Sequence, residues 1–117
     1  MTTTVTTQAT IISDLGQQST NSFAIVQGSL INMTRYSTLS YTFHNSGANA
    51  LDWKVVGGNT SDLTDGVDID TGTLASDAYD SHTSQVTPYQ WYAVFIKADV
   101  ADSQSTLDVN GIGKRGW

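Results

Sequence analysis

Pro88-Tyr89-Gln90-Trp91-Tyr92-Ala93-Val94-Phe95-Ile96-Lys97-Ala98-Asp99-Val100 carries apolar side chains on both phases of a two-residue repeat. Tyr92, Val94 and Ile96 occupy one phase, and Trp91, Ala93 and Phe95 the other. Side chains of a strand alternate between its faces, so bulk on both phases predicts a central strand whose two sides must be covered. Pro88, the chain's only proline, stands at its start, where a missing N–H does least damage to the ladder.

The neighbouring segments extend this reading. From Tyr36 to Asn45, Leu39, Tyr41 and Phe43 alternate with Ser40, Thr42 and His44, the pattern of a half-buried strand. Asn45-Ser46-Gly47-Ala48-Asn49 then supplies turn chemistry, and Leu51, Trp53 and Val55 alternate with Asp52 and Lys54, so a hairpin is predicted over 36–55. On the other side, Ala101-Asp102-Ser103-Gln104 makes a turn, and Leu107 and Val109 alternate with Thr106, Asp108 and Asn110 in a final strand. Phe23-Ala24-Ile25-Val26, stopped by Gly28, predicts a short strand buried on both faces. Val67 and Ile69 alternate with Asp68 and Asp70, which fits a short strand or an ordered loop. Leu74 to Tyr79 is the one place where a helical turn is expected, and Ser81 to Thr87 predicts another strand. About seven or eight short strands with turns between them and no helix-length repeat predict an all-β fold, a single antiparallel β-sandwich of jelly-roll or Ig-like type, with a small barrel as the alternative.

Composition points the same way. All eleven acidic residues are Asp and none is Glu. Helix-surface residues are scarce, and Thr with Ser makes up roughly a quarter of the chain, which favours strands and turns. At 117 residues one domain is expected. Residues 1–13 form an extended N-terminal arm, dominated by Thr, which either adds a strand to its own sheet or lies across a neighbour. Residues 14–117 form the sandwich, with 111–117 as a C-terminal tail. The net charge of -6 argues against phosphate-backbone binding, so nucleic acid is not expected as a partner. No stretch approaches the length of a membrane span, and the start lacks the basic and apolar regions of a signal peptide; the expectation is a soluble protein made in the cytoplasm. With no cysteine, disulfides and thiolate metal sites are excluded.

The sequence offers little chemistry. His44 and His82 are the only histidines, and His44 lies on the outward phase of its strand. Hydroxyl groups abound, but none stands in a nucleophile-elbow pattern; no catalytic residue and no cofactor is assigned, and a non-enzyme is expected. Asp62-Leu63-Thr64-Asp65-Gly66-Val67-Asp68-Ile69-Asp70 is the one oxygen-rich cluster, yet it lacks the spacing and the terminal Glu of a calcium loop. It reads as an exposed acidic edge that discourages sheet-to-sheet aggregation, and no metal site is assigned. Trp53 and Tyr92 fall on core phases, whereas Trp91 and Phe95 lie on a second face that becomes an interface if the chain itself leaves it open. Trp117, after Gly-Lys-Arg-Gly, has no strand context and is expected to anchor on another subunit.

Two stretches carry a resemblance. Tyr-Thr-Phe-His-Asn-Ser-Gly-Ala-Asn-Ala-Leu-Asp-Trp-Lys-Val, residues 41–55, and Pro88 to Ala101 through Leu107-Asp-Val-Asn-Gly-Ile-Gly-Lys114 resemble strand-turn-strand patterns of β-sandwich virion structural proteins of tailed bacteriophages, including capsid decoration or cement proteins. That resemblance covers about half the chain and brings no catalytic residue with it. It implies a virion protein on the capsid surface, in many copies, with the major capsid protein and copies of itself as partners in dimers or trimers. The residues expected at such interfaces are Thr2, Thr3, Thr4, Val5, Ile11 and Ile12 in the arm, with Arg115 and Trp117 in the tail. The alternatives are a tail or neck component of a phage, or a carbohydrate-binding or adhesin-like module whose Asp cluster holds calcium.

Overall fold

The computed structural model describes residues 9–85 and 87–115. Within them the chain forms nine strands and no helix: β1 (Ala9–Gln18), β2 (Ala24–Ile25), β3 (Ile31–Asn32), β4 (Thr38–Asn45), β5 (Leu51–Gly58), β6 (Val67–Leu74), β7 (Tyr79–Ser84), β8 (Trp91–Ala98) and β9 (Thr106–Lys114). Two antiparallel sheets result, one in the order β1-β9-β4-β7 and the other in the order β2-β8-β5-β6, with β3 also on β8. Strands β2 and β3 pair with successive parts of β8 and are interrupted at Gly28, which has a φ of 85°. Counted as one interrupted strand, they leave eight positions, of which first pairs with last, second with seventh, third with sixth and fourth with fifth. Such nested pairing is the winding of a jelly roll, and it settles the fold between the jelly-roll, Ig-like and barrel alternatives.

The core lies between the sheets and follows from the alternation. Leu39, Tyr41 and Phe43 of β4 with Leu107 and Val109 of β9 meet Leu51, Trp53 and Val55 of β5 with Tyr92, Val94 and Ile96 of β8. Phe43 packs on Trp53 with ring centroids 4.6 Å apart. Tyr41 is buried to its hydroxyl, which donates to the Ser29 carbonyl at 2.7 Å; burial pushes its phenol far above the ordinary value.

Several expectations are corrected. The segment 36–55 is not a hairpin, because β4 and β5 belong to opposite sheets and face one another across the core. Alternation fixes which phase of a strand is apolar but not whether the next strand lies beside it or opposite it, and both placements bury the same residues. The junction is held by Asn45, which is fully buried. Its amide nitrogen donates to the carbonyls of Asn49 at 2.8 Å and Leu74 at 2.9 Å, while its amide oxygen accepts from Gly47 N at 3.1 Å and Ser105 Oγ at 2.6 Å.

The segment 22–27 yields only the two residues of β2, both half-buried, and Phe23 is exposed. Leu74 to Tyr79 contains no helix; its bend is a turn closed by Ala78 N donating to the Ala75 carbonyl, with Asp77 at a φ of 62°. Residues 111–114, expected in the tail, are the second half of β9, paired with β1 on one side and β4 on the other. Residues 9–13, expected in the arm, belong to β1 and extend the chain's own sheet.

Candidate assembly surfaces

A two-sheet sandwich has two open sides, and side chains close each of them here. Beside β1 and β2, the Gln17 amide acts as an extra rung. Its nitrogen donates to the Ile25 carbonyl at 2.8 Å and its oxygen accepts from Gln27 N at 2.7 Å. Beside β6 and β7, His82 crosses the gap: Nδ1 lies 2.9 Å from Asp70 Oδ2 and Nε2 lies 2.7 Å from Ser84 Oγ. Carboxylate, imidazole and hydroxyl follow the connectivity of a hydrolase triad. The ring is buried, however, and His82 is the register partner of core residue Tyr41, so the trio ties one sheet edge to the other. Sequence reasoning gave His82 no role; its phase becomes readable only once β7 is known to pair with β4.

Four edges border the sheets, namely β1, β7, β6 and the interrupted β2/β3. Three carry the devices that stop strands from adding: Asp68 and Asp70 on β6, Asp80 on β7, and strands of only two residues at β2 and β3. Of the acidic edge expected over 62–70, Asp68 and Asp70 lie on β6, and Asp62 and Asp65 lie in the loop before it. The fourth edge, β1, is ten residues long and carries Asp14, with no charged side chain before it. A bulge between Ile12 and Leu15 interrupts its register with β9. Next to it lies a hollow of about 560 Å³ lined by Ile12, Leu30, Ile31 and Tyr36, with Asn32, Thr34, Arg35 and Gln90 at its polar parts.

The faces differ as well. The outer phase of β4, β7 and β9 presents Ser40, Thr42, Ser81, Thr83 and Asn110, and at one end His44 stacks on the exposed ring of Tyr79 with centroids 4.2 Å apart. His44 Nε2 is 2.9 Å from Asp77 Oδ1. On the other sheet, Lys54 Nζ sits 4.4 Å above the Phe23 ring and 5.9 Å from that of Phe95, and it pairs with Asp68 at 3.2 Å. The second face of β8 is thus partly covered from within, with Trp91 and Phe95 half-buried and Ala93 fully so.

The aspartates of the oxygen-rich stretch are already engaged. Asp65 accepts from Asn59 N, Thr60 N and Thr60 Oγ1, and Asp62 accepts from the amide and hydroxyl of Thr64. Asp68 and Asp70 hold Lys54 and His82. Among the described residues no group of three or more potential ligands is placed to hold a metal ion.

The Thr64 amide holds Asp62 below its ordinary value, and the Asn59 amide does the same for Asp65, with Thr60 and Thr64 hydroxyls assisting. A carboxyl lowered in the folded state stabilises it fully above the unfolded value of 3.8, and that contribution is lost as pH falls through the lower folded values. Protection factors of the Asn59, Thr60 and Thr64 amides are therefore expected to fall relative to those of β5 as pH drops to about 2. Unchanged relative protection at that pH, measured by hydrogen exchange, contradicts this account of the loop.

Of the residues expected at an interface, Thr2, Thr3, Thr4, Val5 and Trp117 lie outside the described residues. Ile11 pairs with Ile112 and Ile12 with Gly111. Ile12 also packs on the core and lines the hollow. Arg115 is exposed directly after β9. That β1 ends its sheet among the described residues is what sequence reasoning missed, because the terminal position of a strand is fixed by partners far away in the chain.

No protein-family model matches the chain, and no curated protein matches it in sequence. Solved structures do share its fold. The SPBc2 prophage-derived protein YomS is 10% identical, with 95% of this chain and 98% of that one covered at a TM-score of 0.56. A chain of the disulfide-linked pili that form Bacillus endospore appendages is 14% identical, with 99% and 98% covered at a TM-score of 0.53. The Yersinia pseudotuberculosis-derived mitogen is 10% identical, with 92% and 86% covered at a TM-score of 0.54. At these identities the likeness establishes the fold alone, a single jelly roll spanning the chain.

Proposed function

We propose that this protein is a non-enzymatic structural subunit of a phage particle, a decoration or cement protein that sits on the capsid surface and acts through burial of its own surface against neighbours. The observation that carries the reading is the jelly-roll winding of the two sheets, with His82, Asp70 and Ser84 used as a tie between sheet edges and an uncharged stretch, residues 1–13, leading into β1. The likeness to a prophage-derived protein and to a pilus subunit supports it at the level of fold. The buried His82 and the engaged aspartates leave the surface, rather than a cleft, as the working part. Repeated over a shell, even a standard interface of roughly 1,600 Å² adds cohesion without chemistry.

Binding to undecorated capsids tests the reading. Deletion of residues 1–8 removes no residue of a described strand, whereas deletion of 1–13 removes half of β1 as described and uncovers Gly111 to Lys114 of β9. The 1–8 deletion and Trp117→Ala are each expected to keep the wild-type melting temperature and to lose capsid binding by roughly tenfold or more, as hot-spot truncations do. Unchanged binding by both variants in a sedimentation assay overturns the arm-and-tail version.

A further inference from the structure

We infer that the outer face of the sheet β1-β9-β4-β7 binds a neutral glycan, one sugar ring stacking on Tyr79 while its hydroxyls reach the carboxylates beside His44. The inference goes beyond the particle reading and requires no capsid.

The carrying observation is an exposed ring that is nonetheless held in place. Tyr79 is 74% exposed. Its ring lies on the His44 imidazole, with centroids 4.2 Å apart and planes within 10° of parallel. The imidazole is itself fixed from both sides, Nε2 lying 2.9 Å from Asp77 Oδ1 and Nδ1 3.6 Å from Asp108 Oδ2. His44 covers one face of the Tyr79 ring, so exposure of this extent leaves the opposite face open. A platform fixed in advance spares a ligand the cost of ordering it.

The chemistry around the platform selects the occupant. An aromatic face carries partial negative charge and attracts C–H groups of partial positive character, which the flat side of a sugar ring presents. Ionised carboxylates only accept hydrogen bonds, and sugar hydroxyls donate them. Asp77 and Asp108 stand beside the stacked pair with side chains 88% and 41% exposed. In a chain of net charge -6 these same groups repel phosphate, sulfate and uronate, which disfavours nucleic acid and acidic polysaccharides. A protein partner would want an apolar centre to its contact, whereas the next row of the face presents Thr42, Ser81 and Asn110.

The face has room for more than one ring. Ser40 precedes His44 on β4 by about 13 Å at the rise of a strand. There a hollow of about 270 Å³ is lined by Thr38, Ser40, Thr83, Gln85, Ile112 and Lys114. A chain of sugars lying along β4 and β7 uses both ends, stacked on Tyr79 and seated in the hollow.

NMR titration of the isotope-labelled protein with neutral oligosaccharides of glucose, galactose, mannose and N-acetylglucosamine, one series at a time, tests the inference. At least one series is expected to shift the amides of His44, Tyr79 and Ser81 saturably, leaving those of Asp52 and Lys97 on the outer face of the other sheet in place. Tyr79→Ala is expected to weaken that binding by about fivefold or more, the worth of one aromatic contact, with the melting temperature unchanged because the side chain is exposed. Tyr79→Trp, which keeps a flat ring, is expected to retain it. A panel in which no neutral series shifts these amides, shifts confined to the other sheet, or binding indifferent to Tyr79→Ala each overturns the inference. Should Tyr79→Ala fail to fold, the shift map of the wild-type chain decides alone. Capsids are absent from every arm, so failure here leaves the particle reading standing.

Discussion

Replacing Asn45 by Ala is expected to destabilise the protein by about 3–4 kcal/mol, among the largest effects of any single substitution. Four partners converge on this fully buried amide: the carbonyls of Asn49 and Leu74, the Gly47 amide and the Ser105 hydroxyl. Truncation orphans the buried Leu74 carbonyl and Ser105 hydroxyl and also breaks the part-buried bonds to Asn49 and Gly47 nearer the surface; each orphaned buried group costs about 1–3 kcal/mol, offset in part by relaxation of the turn. These partners come from the β4 to β5 connection, the end of β6 and the start of β9, so the loss loosens one whole end of the sandwich. A melting temperature lower by about 10 °C or more is the expected reading, with Ser105→Ala, which removes one of the four bonds, costing far less. An Asn45→Ala variant within a degree or two of wild type contradicts the corner role.

The second large effect is expected from Gly111→Val. In register Gly111 lies against Tyr41, and a Cβ built on it falls 2.7 Å from Tyr41 Cδ1 and 2.9 Å from Cε1. The ring has nowhere to go, because it is fully buried and its hydroxyl is tied to the Ser29 carbonyl. Overpacking of this kind costs typically 1–3 kcal/mol and more where backbone must move; here β9 sits between β1 and β4, so displacing it disturbs two ladders. A loss of about 3 kcal/mol, seen as a lower denaturant midpoint, is expected, and Tyr41→Leu in the same chain is expected to recover part of it. Tolerance of Gly111→Val with Tyr41 intact contradicts the placement of residues 111–114 in the sheet.

These two residues also mark where sequence reading stopped. The inward phases of β4, β5, β8 and β9 are legible because Leu39, Tyr41 and Phe43, and likewise Tyr92, Val94 and Ile96, alternate with little interruption. From them follow the all-β class and the two-layer core. Asn45 reads as turn chemistry, which it is, but the turn arches between sheets instead of closing a hairpin. Nothing local separates the two, because a strand pair and a strand opposition bury the same phase. Gly111 and Gly113 look like a tail since glycine has no side chain to alternate; the space inward of Gly111 is filled by Tyr41 from the neighbouring strand.

The surface was readable only in part. The absence of charge through residues 1–13 is plain in the sequence, and so are the aspartates of β6. That β1 ends its sheet among the described residues depends on pairing between residues about a hundred positions apart. His82 was silent for the same reason: its partner Asp70 lies on the other sheet.

Size-exclusion chromatography with light scattering, on the wild-type chain mixed with undecorated capsids from its own source, tests the central claim most directly. Co-elution with the capsids at a fixed number of copies per particle, reached at saturation, is the predicted result. A chain that elutes apart from the capsids at every concentration contradicts a decoration role and returns the fold to its other possible uses.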